Sequence, residues 1–225
     1  MSNIQWQYIF DLQLAIKSFP YVLQGIWYTI LISFVGMAVG LLIGFFLALG
    51  RMSKHVVLKW PAQVYISFMR GTPMLVFLFL LYFGLPMVGI EFSAITCALI
   101  GFSLHSAAYM AEINRSALTS VNKGQWEAST ALGLSYWQTM KLIILPQATK
   151  IAVPPLSNVL LDLIKASSLA AMITVPDLFN RAKIVGGREF DYMTMYILVA
   201  LIYWGICSIV ELGQSYLEKR YRYSE

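Results

Sequence analysis

Residues 120–146, SVNKGQWEASTALGLSYWQTMKLIILP, form a polar, well-punctuated stretch inside an otherwise oily chain. The punctuation predicts two short helices and a corner. Over 125–132, Ala128, Ala131 and Leu132 share one face at i, i+3, i+4, and Gly133 stands where a left-handed residue commonly closes a helix. Ser135 is placed to cap the second helix, and Gln138, three residues on, completes a capping box. Tyr136, Met140, Ile143 and Ile144 give that helix an apolar stripe, which Pro146 is expected to end or kink. A small, neutral-faced helix leaves a shallow surface that a groove on a partner can enclose; the alternative is a loop lying along lipid headgroups.

The flanking sequence is that of a membrane protein. At 225 residues, 59% hydrophobic and 12% charged, the chain lacks the charged surface of a soluble domain. Hydropathy predicts an all-α membrane protein, one transmembrane domain over 1–225, with five spans near 27–49, 62–83, 92–111, 153–169 and 195–209. The first 18 residues, with Asp11 and Lys17, are expected to be an interfacial prelude and not a cleaved signal. Basic residues fix the orientation. Arg51, Lys54, Lys59, Arg115, Lys123, Lys141, Lys150, Lys219, Arg220 and Arg222 fall on one side, against Lys17, Arg181, Lys183 and Arg188 on the other. The amino terminus is therefore expected outside, with the carboxyl terminus and the 113–150 loop in the cytoplasm. The net charge of +5 is accounted for by topology and lipid contact, with no interleaved aromatics to suggest nucleic acid. Cys97 and Cys207 lie within spans without metal-ligand spacing and read as core residues. His55 reads as a solvated residue of a basic loop.

Several polar groups sit at membrane depth. Gly36, Gly40 and Gly44 make a small-residue row for close helix packing, either within the chain or against a second copy. Arg70, Gly71, Thr72 and Pro73 interrupt the second hydrophobic stretch, and a helix broken there would present free backbone amides to a ligand carboxylate. Arg70 snorkelling to headgroups is the competing reading. In the third span His105, Ser106, Tyr109 and Glu112 lie along one helical face. In the fourth, Asp162 and Lys165 precede Ser167 and Ser168; they form either a structural pair or part of a path for a zwitterion. The 173–193 loop, mixed in charge and containing Gly186-Gly187, offers a surface to a soluble protein or is simply solvated; the 211–225 tail reads as a membrane-surface anchor.

The spacing Glu127-Ala128-Ser129, three residues to Gly133, nine to Ile143, then Leu145-Pro146 resembles the EAA loop of ABC importer permeases, EAA-x3-G-x9-I-x-LP, with Ser129 as the one departure. MRGTPM at 69–74, YFGLP at 82–86 and KASSL at 165–169 are similar to segments of the polar amino-acid uptake branch, and 103–112 and 175–183 look most like cystine permeases. The resemblance implies a type I importer fold in the bacterial inner membrane. It also implies coupling through Gln125, Glu127, Ala128, Ala131, Leu132 and Gly133, and substrate contacts drawn from Arg70, Gly71, Thr72, His105, Ser106, Tyr109, Asp162, Lys165, Ser167 and Ser168. The implied partners are a second permease copy, two ATP-binding subunits and an extracytoplasmic binding protein. The chain has no GxxxxGK[ST] loop, so ATP and Mg belong to the partner and no metal or cofactor is expected here. An ion-coupled carrier using Asp162, Glu112 and His105 as a proton relay, or a membrane scaffold, are the other classes considered.

Overall fold

The computed structural model describes residues 9–222, with side chains to 216. The described residues are helical or irregular, without strands. The start of the amino-terminal prelude and the tip of the charged tail lie outside them. The elements are α1 (Leu12–Leu23), α2 (Ile26–Met52), α3 (Val56–Gly71), α4 (Met74–Phe79), α5 (Ala94–Ser120), α6 (Lys123–Ala131), α7 (Tyr136–Thr139), α8 (Leu145–Ala166), α9 (Leu178–Glu189) and α10 (Tyr192–Arg222). Four stretches are long and apolar enough to cross a bilayer, Ile26–Met52, Ala94–Ser120, Tyr136–Ile173 and Tyr192–Tyr216, and a bent pair, Val56–Gly71 with Met74–Val88, makes the fifth.

The described chain gathers into two compact units. One contains the chain up to Gly36, Met74–Phe102 and Leu161–Glu211; the other contains Met37–Pro73, Ser103–Leu160 and the chain from Leu212. In the first unit, α1 buries Ala15 and Val22 against Leu178, Ala182 and Val185 of α9 and Met195 and Val199 of α10, while Leu12 and Ile16 stay exposed. The prelude is therefore half core. Asp11 starts it, accepting from the Leu14 amide at 3.0 Å, while its own amide donates to Thr194 Oγ1 at 2.9 Å. In the second unit, Ala117, Leu118 and Val121 pack on Met140, Ile144, Ala148 and Ala152.

The glycine row of α2 packs within the chain. A methyl on Gly40 would stand 2.2 Å from Ser106 Oγ, and one on Gly44 would stand 2.8 Å from the Ala107 carbonyl oxygen, so α5 approaches to the distance that only glycine permits. Gly36 faces Phe102 of α5 and Leu163 of α8 within the first unit, where an added methyl would stand at 3.3 and 3.6 Å, a looser fit than at Gly40 and Gly44.

Three expectations are corrected. Pro146 does not end its helix: a π-helical turn, Met140–Ile144, leads directly into α8, which contains it. Pro154 and Pro155 likewise lie inside α8, so helix occupies much of the expected 113–150 loop from both ends. The 173–193 stretch is chiefly helix, because Asp177 caps α9 and Leu178, Ala182 and Val185 give it a buried stripe that polar composition concealed.

Candidate functional site

The corner forms as its residues require. Asn122 caps α6 by accepting from the Gly124 amide at 2.8 Å. At the far end Gly133 adopts φ 75°; its amide donates to the Thr130 carbonyl at 3.0 Å, and the Leu134 amide donates to the Ser129 carbonyl at 3.1 Å. These two bonds are the paired closure that satisfies orphan carbonyls at a helix end, and they need a left-handed residue at that position. Ser135 then caps α7, accepting from the Gln138 amide while Gln138 Oε1 accepts from the Ser135 amide at 2.9 Å. Trp126 stacks on Tyr136 at 5.7 Å, tying α6 to α7. Ser129, the departure from the motif, is the buried residue of α6, and its hydroxyl donates to the Gln125 carbonyl. Gln125, Glu127, Ala128, Ala131 and Leu132 are exposed, with Leu132 at 78%. A rigid corner thus holds out a small apolar surface that nothing in the described chain covers.

The second set of residues surrounds the helix break. α3 ends at Gly71, Thr72 is extended at φ −101° and ψ 129°, and the axis turns by 104° before α4. Proline at 73 disfavours the helical region for the residue before it, which is why Thr72 leaves the helix. His105 Nε2 donates to the Thr72 carbonyl at 3.2 Å, satisfying one acceptor that the break frees. The His105 ring lies 5.4 Å from that of Tyr109, and the Arg70 guanidinium sits 5.7 Å over the Tyr109 ring. Ser106 is buried with its hydroxyl on the Ser103 carbonyl. So Arg70, Thr72, His105 and Tyr109 come together within one unit.

Asp162, Lys165, Ser167 and Ser168 belong to the other unit. Lys165 Nζ lies 2.9 Å from Asp162 Oδ1, one turn apart on α8, with the two side chains 59% and 73% exposed. The hydroxyl of Ser168 donates to the Lys165 carbonyl at 2.8 Å; that of Ser167, buried, donates to the Ile164 carbonyl at 2.7 Å.

Sequence reading missed two clusters. Glu112 contacts Arg51, and its Oε2 lies 3.3 Å from Arg115 Nη2 and 3.9 Å from Arg70 Nη1. The Glu112–Arg115 spacing signals itself; Arg51 and Arg70 reach the carboxylate only through helix packing. Asp177 is fully buried, with the Asn180 amide donating at 2.8 Å and the Tyr203 hydroxyl at 3.4 Å. Burial pushes its carboxyl up to about 7, against the smaller opposing effect of those bonds.

A multi-pass helical protein with a broken span and a capped, uncovered corner belongs to a defined class. The chain is a member of the family of binding-protein-dependent transport system inner membrane components, whose model matches residues 40–223. It is 71% identical over 221 residues to the probable amino-acid ABC transporter permease protein YckA of Bacillus subtilis (strain 168), covering 98% of both chains. It is 41% identical over 202 residues to the L-cystine transport system permease protein TcyB of the same organism, covering 89% of this chain and 86% of that one. A crystal structure of an amino acid ABC transporter with histidines superposes with a TM-score of 0.88 at 34% identity, covering 93% of this chain and 98% of that one. The protein is an amino-acid ABC transporter permease subunit of the inner membrane. That membership removes the ion-coupled carrier and the scaffold as readings.

Proposed function

We propose that the subunit passes a polar amino acid, with cystine as first candidate, from an extracytoplasmic binding protein to the cytoplasm, driven by ATP and Mg on a separate subunit that docks on α6. The observation that carries this is the corner itself: a nine-residue helix, capped at both ends, with Ala128, Ala131 and Leu132 exposed. Rigid caps on an uncovered small-residue face suit a lever that transmits movement, because a frayed loop would absorb it. The excess of basic residues on its side of the chain supports a cytoplasmic position for this corner, where an ATPase can reach it.

Two copies complete the passage. An Asp162–Lys165 pair with side chains 73% and 59% exposed, on a helix apolar enough to span the bilayer, would face hydrocarbon in a lone chain. Facing a second copy across a water-filled path removes that penalty. Candidate contacts are Asp162, Lys165 and Ser168 in one unit and, taken separately, Gly71, Thr72 and His105 at the helix break in the other. The similarity to TcyB supports cystine as the first substrate to test.

The test is ATPase activity of the assembled complex in proteoliposomes, screened with single amino acids and the binding protein. Stimulation by L-cystine above all others is expected. Stimulation by a different amino acid replaces cystine and keeps the rest; stimulation by none rejects the proposed function.

A further inference from the structure

A groove within the second unit combines an apolar lining with one buried donor that nothing satisfies. Three of the membrane-spanning helices form it. Leu41, Leu42 and Phe45 come from α2, Asn114 from α5, and Thr149 and Leu156 from α8, around a cavity of about 600 Å³. That volume falls within the roughly 300–1,000 Å³ of small-molecule sites. Asn114 is 8% exposed, and its side-chain Nδ2 has no hydrogen-bond partner among the described residues. A buried donor left unmet is costly, so the natural surroundings of Asn114 include an acceptor that this chain does not supply. Water is a poor fit. The other polar side chain of the groove, Thr149, is committed to the Leu145 carbonyl at 2.7 Å, whereas a buried water needs roughly two to four polar partners.

The depth of the groove names the acceptor. Leu41, Leu42 and Phe45 lie within the apolar run 27–49 and Leu156 within 153–169, whereas Asn114 stands just beyond the run 92–111 and Thr149 just before 153–169, on the side richer in basic residues. The groove therefore straddles the boundary between hydrocarbon and the cytoplasmic headgroup layer. We propose that it seats a glycerophospholipid of the cytoplasmic leaflet, with an acyl chain along Leu41, Leu42, Phe45 and Leu156 and an ester carbonyl accepting from Asn114 Nδ2. A helix from a second copy would also fill apolar space, but its backbone carbonyls are engaged in their own ladder. Ester carbonyls have no such partner and are held at this depth by the bilayer itself. Leu42 is 61% exposed, so the groove opens to the face from which a lipid would enter.

The test is photolabelling in the bilayer. The assembled transporter is reconstituted in vesicles of phosphatidylethanolamine and phosphatidylglycerol carrying a trace of phosphatidylglycerol with a diazirine on one acyl chain, irradiated, digested and mapped by mass spectrometry. Labelling of the segments 38–45 and 148–156, normalised to that of the whole chain, is expected to exceed the chain average. Asn114→Leu, close in volume and without the donor, should lower it at least about threefold, within the range for one neutral hydrogen bond. Thr149→Trp, which crowds the groove from an exposed position, should lower it likewise. Co-purification of the ATPase partner checks assembly; if Asn114→Leu fails to assemble, wild-type labelling of Thr149→Trp overturns the proposal. Wild-type labelling of an assembled Asn114→Leu complex overturns it directly, as does groove labelling at the chain average, which is ordinary boundary lipid. Labelling well below the average assigns the groove to a second copy of the chain and refutes the lipid site. None of these outcomes depends on which amino acid is carried.

Discussion

Gly133→Val isolates backbone conformation as the cause of coupling. A Cβ at Gly133 would meet nothing within 4 Å, so the substitution creates no clash with any neighbour. The whole effect must come from φ 75°, a left-handed value that costs an ordinary L residue roughly 1–2 kcal/mol and a β-branched one more. At about 2 kcal/mol the native corner loses close to thirtyfold in population against rearranged ones. The closing bonds from Gly133 to Thr130 and from Leu134 to Ser129 are lost together, because both need that turn. α6 then loses its fixed angle to α7, while the spans remain intact. The assays are insertion, retention of the ATPase partner through purification, and ATP-driven uptake. Normal insertion with uptake lowered about tenfold or more is expected of Gly133→Val. Gly133→Asn, whose short polar side chain tolerates the left-handed region, should stay much nearer wild type. Equal uptake by the valine and asparagine variants would refute the reasoning, since only backbone strain separates them here.

Three further outcomes are expected. Asp162→Asn and Lys165→Met each should reduce uptake more than insertion; recovery in the double variant would mark a structural pair, and continued inactivity a substrate-facing one. The folded Asp177 carboxyl keeps its proton to about 7 where the unfolded one releases it near 3.8. The folded state therefore binds more protons between those values, so its contribution to stability is full below the lower one and lost as pH rises through the upper. Melting of the detergent-purified protein at pH 5 and pH 8 should show less of this decline in Asp177→Asn, which keeps a capping oxygen; an unchanged pH response would reject it. Gly44→Ala should destabilise by about 1–3 kcal/mol through overpacking, since its methyl would stand 2.8 Å from the Ala107 carbonyl oxygen and 2.9 Å from Met110 Cβ. An unaltered melting temperature would show that α2 and α5 separate freely.

What the sequence determined by itself was local. Ser135 and Gln138 make a capping box with their own backbone neighbours, Gly133 supplies a left-handed residue, and Pro73 removes Thr72 from its helix; each works over a few residues and is legible at that range. Hydropathy likewise marks spans, because crossing hydrocarbon demands an apolar run whatever the neighbours are. Helix boundaries were less legible. Pro146 reads as a stop or a kink, yet a π turn carries the helix past it, and α9 hid within a charged segment because its buried face is only Leu178, Ala182, Val185 and Gly186. Tertiary structure alone decided which polar groups meet. The row Gly36, Gly40, Gly44 predicts close packing but names no partner, and only the fold brings α5 against it. Arg51 and Arg70 lie far along the chain from Glu112, and Asp177 lies far from Tyr203. Charge attraction and burial act through space, so such pairs leave no trace in residue spacing until the helices that carry them are packed.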